Sequence, residues 1–315
     1  MKDQPLHVVF GTGQVGRAVA ERLAGSGVAA RSVSRRRPVD WPAEMDWRSA
    51  DLTDAEAAID AAKGATVIYQ CLNAPYTQWP QLFPPLQRSA IAAAERADAL
   101  LVTLENVYGY GPTAGIPLTE DLPLAATTSK GRTRAGMTVE LLAAAKAGRV
   151  RIAVGRASDF FGAGVTESTM GSRVFGHALA GQRADFLGDP DLLHTYSYVP
   201  DIAAGLVTLG TDERAAGQVW HLPGPETLTT REFLEIIGRI IGHPVGVRKV
   251  PNLMVKVLGV VSPMMRGLAE MSYEFEQPFV LDTSKYEATF TTSTTPLATA
   301  IGDTIAWYQT QRSTP

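Results

Sequence analysis

Through the first half of the chain, short apolar runs alternate with stretches whose apolar residues recur at helical spacing. Leu6–Phe10 (LHVVF) is such a run and ends at a glycine. Gln14–Leu23 follows, with Val15, Ala18, Val19 and Leu23 on one helical face. Ala29–Ser34, Thr66–Gln70, Leu100–Thr103 and Arg151–Val154 are further strand-like runs. Ala55–Ala62, Ile91–Ala97 and Met137–Ala147 read as the helices between them. Continuous apolar strands separated by helices predict a parallel sheet covered on both faces. Right-handed crossovers make the arrangement doubly wound α/β.

After Gly155 the rhythm loosens, and glycines and prolines cluster over residues 160–171 and 187–190. Ile202–Leu209 reads as helix, Gln218–Leu222 as strand, Thr229–Ile241 as helix and Val247–Val250 as strand. Thr229-x-x-Glu232 is a capping-box pattern. The expected division is a nucleotide-binding domain over residues 1–157, rejoined by 196–220 and 281–311. Residues 158–195 and 221–280 form a smaller C-terminal substrate lobe.

Val8-Val9-Phe10-Gly11-Thr12-Gly13-Gln14-Val15-Gly16 places Gly-x-Gly-x-x-Gly between a strand and a helix. Gly11 permits the tight turn, Gly13 lets the backbone approach a pyrophosphate, and Gly16 lets the helix pack on the sheet. The helix N-terminus offers free N–H groups and a positive dipole end to phosphates. This is the context that a Rossmann-type dinucleotide site requires. Where an NAD-selective site carries a carboxylate after the second strand, this chain has Ser34-Arg35-Arg36-Arg37, with no acid until Asp40. Guanidinium groups suit a 2′-phosphate, so NADP(H) is expected over NAD(H). A solvated basic loop is the alternative. Asp51-Leu52 either serves the adenine or lets Asp51 cap the next helix. Gln70 and Asn73, at and just beyond the end of a strand-like run, complete the expected coenzyme contacts together with Thr12, Gln14 and Val15.

Composition narrows the classes. The chain has 315 residues, a net charge of −3 and no long basic stripe, so no nucleic-acid partner is expected. A single cysteine, Cys71, excludes an internal disulfide and a thiolate cluster, and its apolar surroundings predict a buried, inert thiol. His, Asp and Glu show no metal spacing, and no Gly-x-Ser-x-Gly elbow occurs. No run approaches the ~20 apolar residues of a membrane span. Met1–Leu6 is too short and polar for a signal core, so a reducing cytoplasm is the expected compartment.

The chain resembles the extended short-chain dehydrogenase/reductases, the NAD(P)-dependent epimerase/dehydratase family, nearly end to end. Asp51-Leu52-Thr53-Asp54 is similar to its adenine-contacting segment, and Asn106-Val107-Tyr108-Gly109 to its Val-Tyr-Gly. Arg156–Gly162 (RASDFFG) is similar to its Arg-Pro-x-x-x-x-Gly, and Tyr198–Ala203 to its Val-x-Asp-Val-Ala turn. Asp282–Lys285 and Trp307-Tyr308 match its usual ending. The catalytic signature departs from the pattern. The family's Tyr-x-x-x-Lys positions fall on Lys130 and Arg134, and its Ser/Thr position falls on Leu104, between Thr103 and Glu105. The resemblance therefore implies an atypical member. In it Arg134 reaches the coenzyme ribose, and the proton passes from Lys130, Tyr108 or Tyr76, or from Glu105 at the same sheet edge. Lys130 qualifies if burial or the neighbouring arginines lower its pKa.

His194 is a further candidate, for a substrate carbonyl or phosphate or as a turn cap. Trp79 is expected on a loop lining the pocket. The apolar residues of Asn252–Met271, Leu253 among them, are expected mainly in the core, with a Met-rich lid as the alternative. The expected function is an NADP(H)-dependent, ketoreductase-like oxidoreductase acting on a small-molecule carbonyl or alcohol. The alternatives are a non-catalytic NADP(H)-binding sensor or scaffold and a nucleotide-sugar epimerase or dehydratase. The family resemblance also implies homodimers joined through two helices per subunit.

Overall fold

The computed structural model describes residues 5–313, apart from the side chains of Asn252, Leu253, Lys256 and Ser313. The expectations for Met1–Gln4 and for the Leu253 side chain lie outside the described residues. The first strand β1 (Leu6–Phe10) runs through the glycine turn into α1 (Gln14–Gly25). There follow β2 (Ala30–Ser34), β3 (Asp46–Ser49), α2 (Ala55–Ala61), β4 (Ala65–Gln70), α3 (Trp79–Ala97), β5 (Leu100–Asn106), α4 (Ser129–Lys146) and β6 (Arg151–Ala157). The looser part contains β7 (Asp159–Phe161), α5 (His177–Leu179), β8 (Ala184–Leu187), β9 (Leu193–His194), β10 (Tyr196–Tyr198), α6 (Val199–Thr211) and β11 (Val219–His221). The chain closes with β12 (Leu228–Thr229), α7 (Thr230–Ile241), β13 (Val247–Val250), α8 (Asn252–Leu258), α9 (Pro263–Glu270), α10 (Ser284–Thr289) and α11 (Leu297–Ser313).

Seven strands form one sheet in the order β3-β2-β1-β4-β5-β6-β11, every pair parallel. This is the doubly wound α/β arrangement that the pattern predicts. Alternate strand residues feed two cores. Val9, Val67, Tyr69 and Val102 pack with residues of α1 and α6, while Val8, Ile68, Leu101 and Ile152 pack with those of α2, α3 and α4. The strand order reverses between β1 and β4, which opens a crevice at their carboxyl ends.

A third core gathers Phe161, Phe175 and Phe233 with Ile301, Ile305 and Tyr308 of α11. Around it lie the small pairings β7–β10, β9–β12 and β8–β13. The capping box at Thr229 and Glu232 forms as expected, a contribution of about 1 kcal/mol to α7.

Several elements differ from the sequence expectation. α3 begins at Trp79, well before Ile91, although Pro84 and Pro85 lie inside it. Burial of Trp79, Phe83 and Leu86 offsets the lost backbone bonds, and Trp79 opens this helix where a loop was expected. Its indole Nε1 donates to the Ala74 carbonyl at 3.1 Å. α4 starts at Ser129, not near Met137, because Thr128 caps it and its buried face carries Lys130, Gly131 and Arg134, which hide the apolar stripe. The segment from α8 to α9 is not mainly core: Met254, Val257, Leu258, Val260 and Val261 are exposed. Val255, Met264, Met265, Leu268 and Met271 face the crevice, the geometry of the lid alternative.

Candidate active site

The crevice opens into a cleft of about 980 Å³. Of the residues expected to hold a coenzyme, Gly11 through Val15, Ser34, Arg35, Asp51, Leu52, Asn73 and Arg134 line it. Gly16, Arg36 and Gln70 are not part of its wall. Gly16 lies behind the turn, where a Cβ would sit 2.1 Å from the Gly11 carbonyl oxygen. Arg36 is exposed, and its carbonyl accepts the Ser34 hydroxyl at 2.9 Å. Gln70 is buried at the end of β4, in register with Phe10 and Thr103, with its Oε1 unpartnered.

The glycine turn is shaped for a phosphate. Gly11 has φ +103°, and a Cβ there would meet the Cys71 carbonyl oxygen at 2.7 Å, so only glycine fits. Around Gly13 nothing stands within 4 Å of a Cβ position. Gly13 is also the N-cap of α1, with no side-chain cap, so the first N–H groups of the helix face free space. The Thr12 hydroxyl donates to Ser34 Oγ at 2.9 Å, and Trp47 Nε1 donates to the same oxygen at 3.0 Å. These bonds tie the turn to the loop that carries Arg35. Asp51 accepts from the backbone and hydroxyl of Thr53, and Asp54, not Asp51, caps α2. Cys71 is buried as expected, and burial pushes its thiol up to about 12.

Arg134 of α4 reaches the cleft from beneath. It is 6% exposed, lies over the Phe83 ring, and donates to the Leu104 carbonyl at 3.2 Å, while its Nε is buried without a partner. Arg134 lines the cleft, and a guanidinium there suits a ribose hydroxyl. Glu105 faces this group and carries a buried network. Its carboxylate accepts from Arg156 at 3.1 Å and from the Thr138 hydroxyl at 2.9 Å. Arg156 in turn donates to the Tyr110 hydroxyl at 2.6 Å, which sits 2.6 Å from His221 Nε2. His221 Nδ1 lies 2.9 Å from the Asp282 carbonyl, so it carries the proton and Nε2 accepts from Tyr110. Burial first, then Arg156, holds His221 down at about 4.

Tyr76, Trp79 and Tyr108 line the cleft as one aromatic cluster, with Trp79 stacked on Tyr108 at 5.6 Å and edge-on to Tyr76 at 5.4 Å. Burial raises both phenols well above their ordinary value. Lys130 does not join the wall. Its Nζ lies 4.1 Å from the centre of the Tyr76 ring, and a Cβ on Gly267 of α9 would come within 2.4 Å of it. Burial, not the neighbouring arginines, pulls its ammonium below the ordinary value, and Glu270 opposes that pull. The Tyr76 hydroxyl donates to the Gly267 carbonyl at 3.2 Å. His194 is neither a turn cap nor on the wall: its Nε2 meets Asp159 at 2.8 Å, and its ring stacks on Tyr196, Phe275 and Phe279.

Sequence reasoning missed Asp159 and Glu274, both on the cleft wall. Asp159 falls on an unspecified position of the Arg156–Gly162 segment and Glu274 in no motif, so long-range packing brings them there. Among the described residues no group of three or more His, Cys, Asp and Glu side chains forms a metal site, and no helix is long and apolar enough to cross a membrane.

Comparison with known proteins agrees with this architecture. The sequence model of the NAD dependent epimerase/dehydratase family matches residues 8–222. The chain is 25% identical over 264 residues to dTDP-6-deoxy-L-talose 4-dehydrogenase (NAD(P)(+)) of Kitasatospora kifunensis, covering 78% of this chain and 81% of that protein. The structure of dTDP-glucose 4,6-dehydratase from Bacillus anthracis, in complex with NAD, superposes with a TM-score of 0.80 at 14% identity, over 98% of each chain. UDP-glucuronic acid 4-epimerase from Bacillus cereus, in complex with NAD, gives 0.76 at 15% identity, over 97% of this chain and 99% of that one. At such identities the structural likeness is one of fold.

Proposed function

We propose, since the chain belongs to the NAD dependent epimerase/dehydratase family, that it is an NADP(H)-dependent oxidoreductase reducing a carbonyl of a small polar molecule. The observation that carries the reading is one continuous cleft. It joins an uncapped helix N-terminus, open at Gly13, to a buried guanidinium with a free N–H and a cluster of neutral phenols.

The α1 amides and Gly13 hold the pyrophosphate, and Leu52, Asn73 and Asp51 flank the adenosine half. Arg35 faces the 2′-phosphate, with Ser34 fixing its loop, and this favours NADP(H). Arg134 binds the nicotinamide ribose. When bound, the reduced coenzyme supplies a hydride. The phenols of Tyr76 and Tyr108 keep their protons at neutral pH, so this end of the cleft gives protons more readily than it takes them. That favours carbonyl reduction over alcohol oxidation. Further along the wall, Glu167, Arg173 and Asp185 offer charged contacts to a polar substrate. A sugar nucleotide suits them, the class named for the Kitasatospora relative.

The test pairs calorimetry of NADPH and NADH with NADPH oxidation at neutral pH. The substrate panel comprises a dTDP-4-keto-6-deoxyhexose, 2,3-butanedione and a quinone. Micromolar NADPH binding with turnover of a ketone is expected. Binding without turnover on any of them favours the sensor reading, and no binding of either coenzyme rejects both.

A further inference from the structure

We propose that the carboxyl group of Glu274 is the proton donor to the substrate oxygen. The proposal rests on the reductase reading above and narrows its proton step to one residue. Glu274 lies on the short turn Ser272–Phe275 that follows α9, and it lines the cleft although it is only 1% exposed. Its Oε1 has no hydrogen-bond partner, and it forms no ion pair with a described residue. A buried carboxylate in that position would cost several kcal/mol. Keeping the proton removes that cost.

Asp159 on β7 acts in the same sense, and Tyr76 after β4, Tyr108 after β5 and the adjoining Tyr273 lie near enough to be raised by Glu274, while none of the four is a cation. Asp159 already has His194 Nε2 at 2.8 Å, whereas Glu274 has no such partner among the described residues. Burial first, and Asp159 second, drive the Glu274 carboxyl well above the usual range. Tyr76 and Tyr108 are also pushed up, and a carboxylic acid is ordinarily a far stronger acid than a phenol.

The step balances simply. The carbonyl carbon gains a hydride from NADPH as the carbon–oxygen π bond breaks. The oxygen takes the Glu274 proton, the coenzyme leaves oxidised, and the carboxylate regains its proton from water.

Infrared difference spectra of the native protein and the Glu274→Gln variant, recorded at neutral pH in H2O and D2O, read the proton directly. A protonated-carboxyl band that shifts in D2O is expected in the native protein and absent from the variant. With NADPH and 2,3-butanedione, Glu274→Gln should lower kcat about 100-fold or more, leaving NADPH affinity unchanged by calorimetry. Tyr76→Phe and Tyr108→Phe should each lower kcat by less than Glu274→Gln does, and neither should remove the carboxyl band. Glu274→Asp, an acid one methylene shorter, should keep a band and lose less rate than the Gln variant. It serves if Gln disturbs folding. A native spectrum without the band, or a Gln variant that reduces the diketone at near-native kcat, overturns the proposal alone. A native protein that binds NADPH and turns over neither the diketone, the dTDP-4-keto-6-deoxyhexose nor the quinone overturns the reductase reading beneath it.

Discussion

At the glycine turn, Gly11, Gly13 and Gly16 follow one another within a single strand–turn–helix unit. At the other end of the cleft, Tyr76, Tyr108, Arg134 and Glu274 arrive from four separate parts of the chain. The first end is made of backbone: an open Gly13, an uncapped α1 and a glycine with φ +103°. The second is made of side chains buried against one another, including the Glu105, Arg156, Tyr110 and His221 network. The contrast separates binding from stability. A backbone cradle contributes little to the fold that it does not also contribute to the ligand. Buried charges, once one member is removed, leave the others uncompensated.

The largest test of this contrast is Glu105→Ala, which strands Arg156 beside Arg134 inside the protein. A loss of about 3–5 kcal/mol in urea unfolding is expected. A loss under about 1 kcal/mol would mean that the network does not support this end.

Next comes His221. Its folded value of about 4 lies below the unfolded 6.5, so the unfolded chain binds the extra proton between them. Stability is therefore complete above pH 6.5 and falls as the pH drops towards about 4, by up to about 3 kcal/mol. His221→Gln should flatten the fall in stability over that window in urea titrations, and an unchanged slope would contradict it.

Gly13→Ala sharpens the comparison from the other side. The backbone there has φ −71°, open to any residue, so the melting temperature should hold or rise slightly. NADPH affinity should fall about 100-fold, or about 2.8 kcal/mol, because the new methyl fills the pyrophosphate space. Equal losses of stability and affinity would erase the distinction.

The smallest effect is expected at Arg35→Ala. NADPH should bind about tenfold more weakly by calorimetry, or about 1.4 kcal/mol, while NADH is unaffected. An equal change for both coenzymes would remove Arg35 from selectivity.

The fold was legible because its signals are local. Strands such as Leu6–Phe10 and Leu100–Asn106 are buried along most of their length, and Val8–Phe10 and Leu100–Val102 within them read as continuous apolar runs. Misreadings arose where local rules lost to packing. Prolines hid the start of α3, and inward-facing Lys130 and Arg134 hid the start of α4. The same holds for the site. Gly11, Gly13 and Arg35 were visible as a motif and its flank. Glu274, in Ser-Tyr-Glu-Phe, and Asp159 carry no spacing that marks them.

The sequence by itself determined the parallel sheet, the glycine turn at its switch point and the basic flank of β2, because each depends on residues a few positions apart. Tertiary structure alone decided that Lys130 lies under Tyr76 and that the Met-rich segment covers a cleft instead of filling a core. It also decided that a glutamate far from any motif stands unpaired in that wall. Burial and electrostatic partnership are properties of the assembled neighbourhood, and no periodicity along the chain encodes which distant groups will share it.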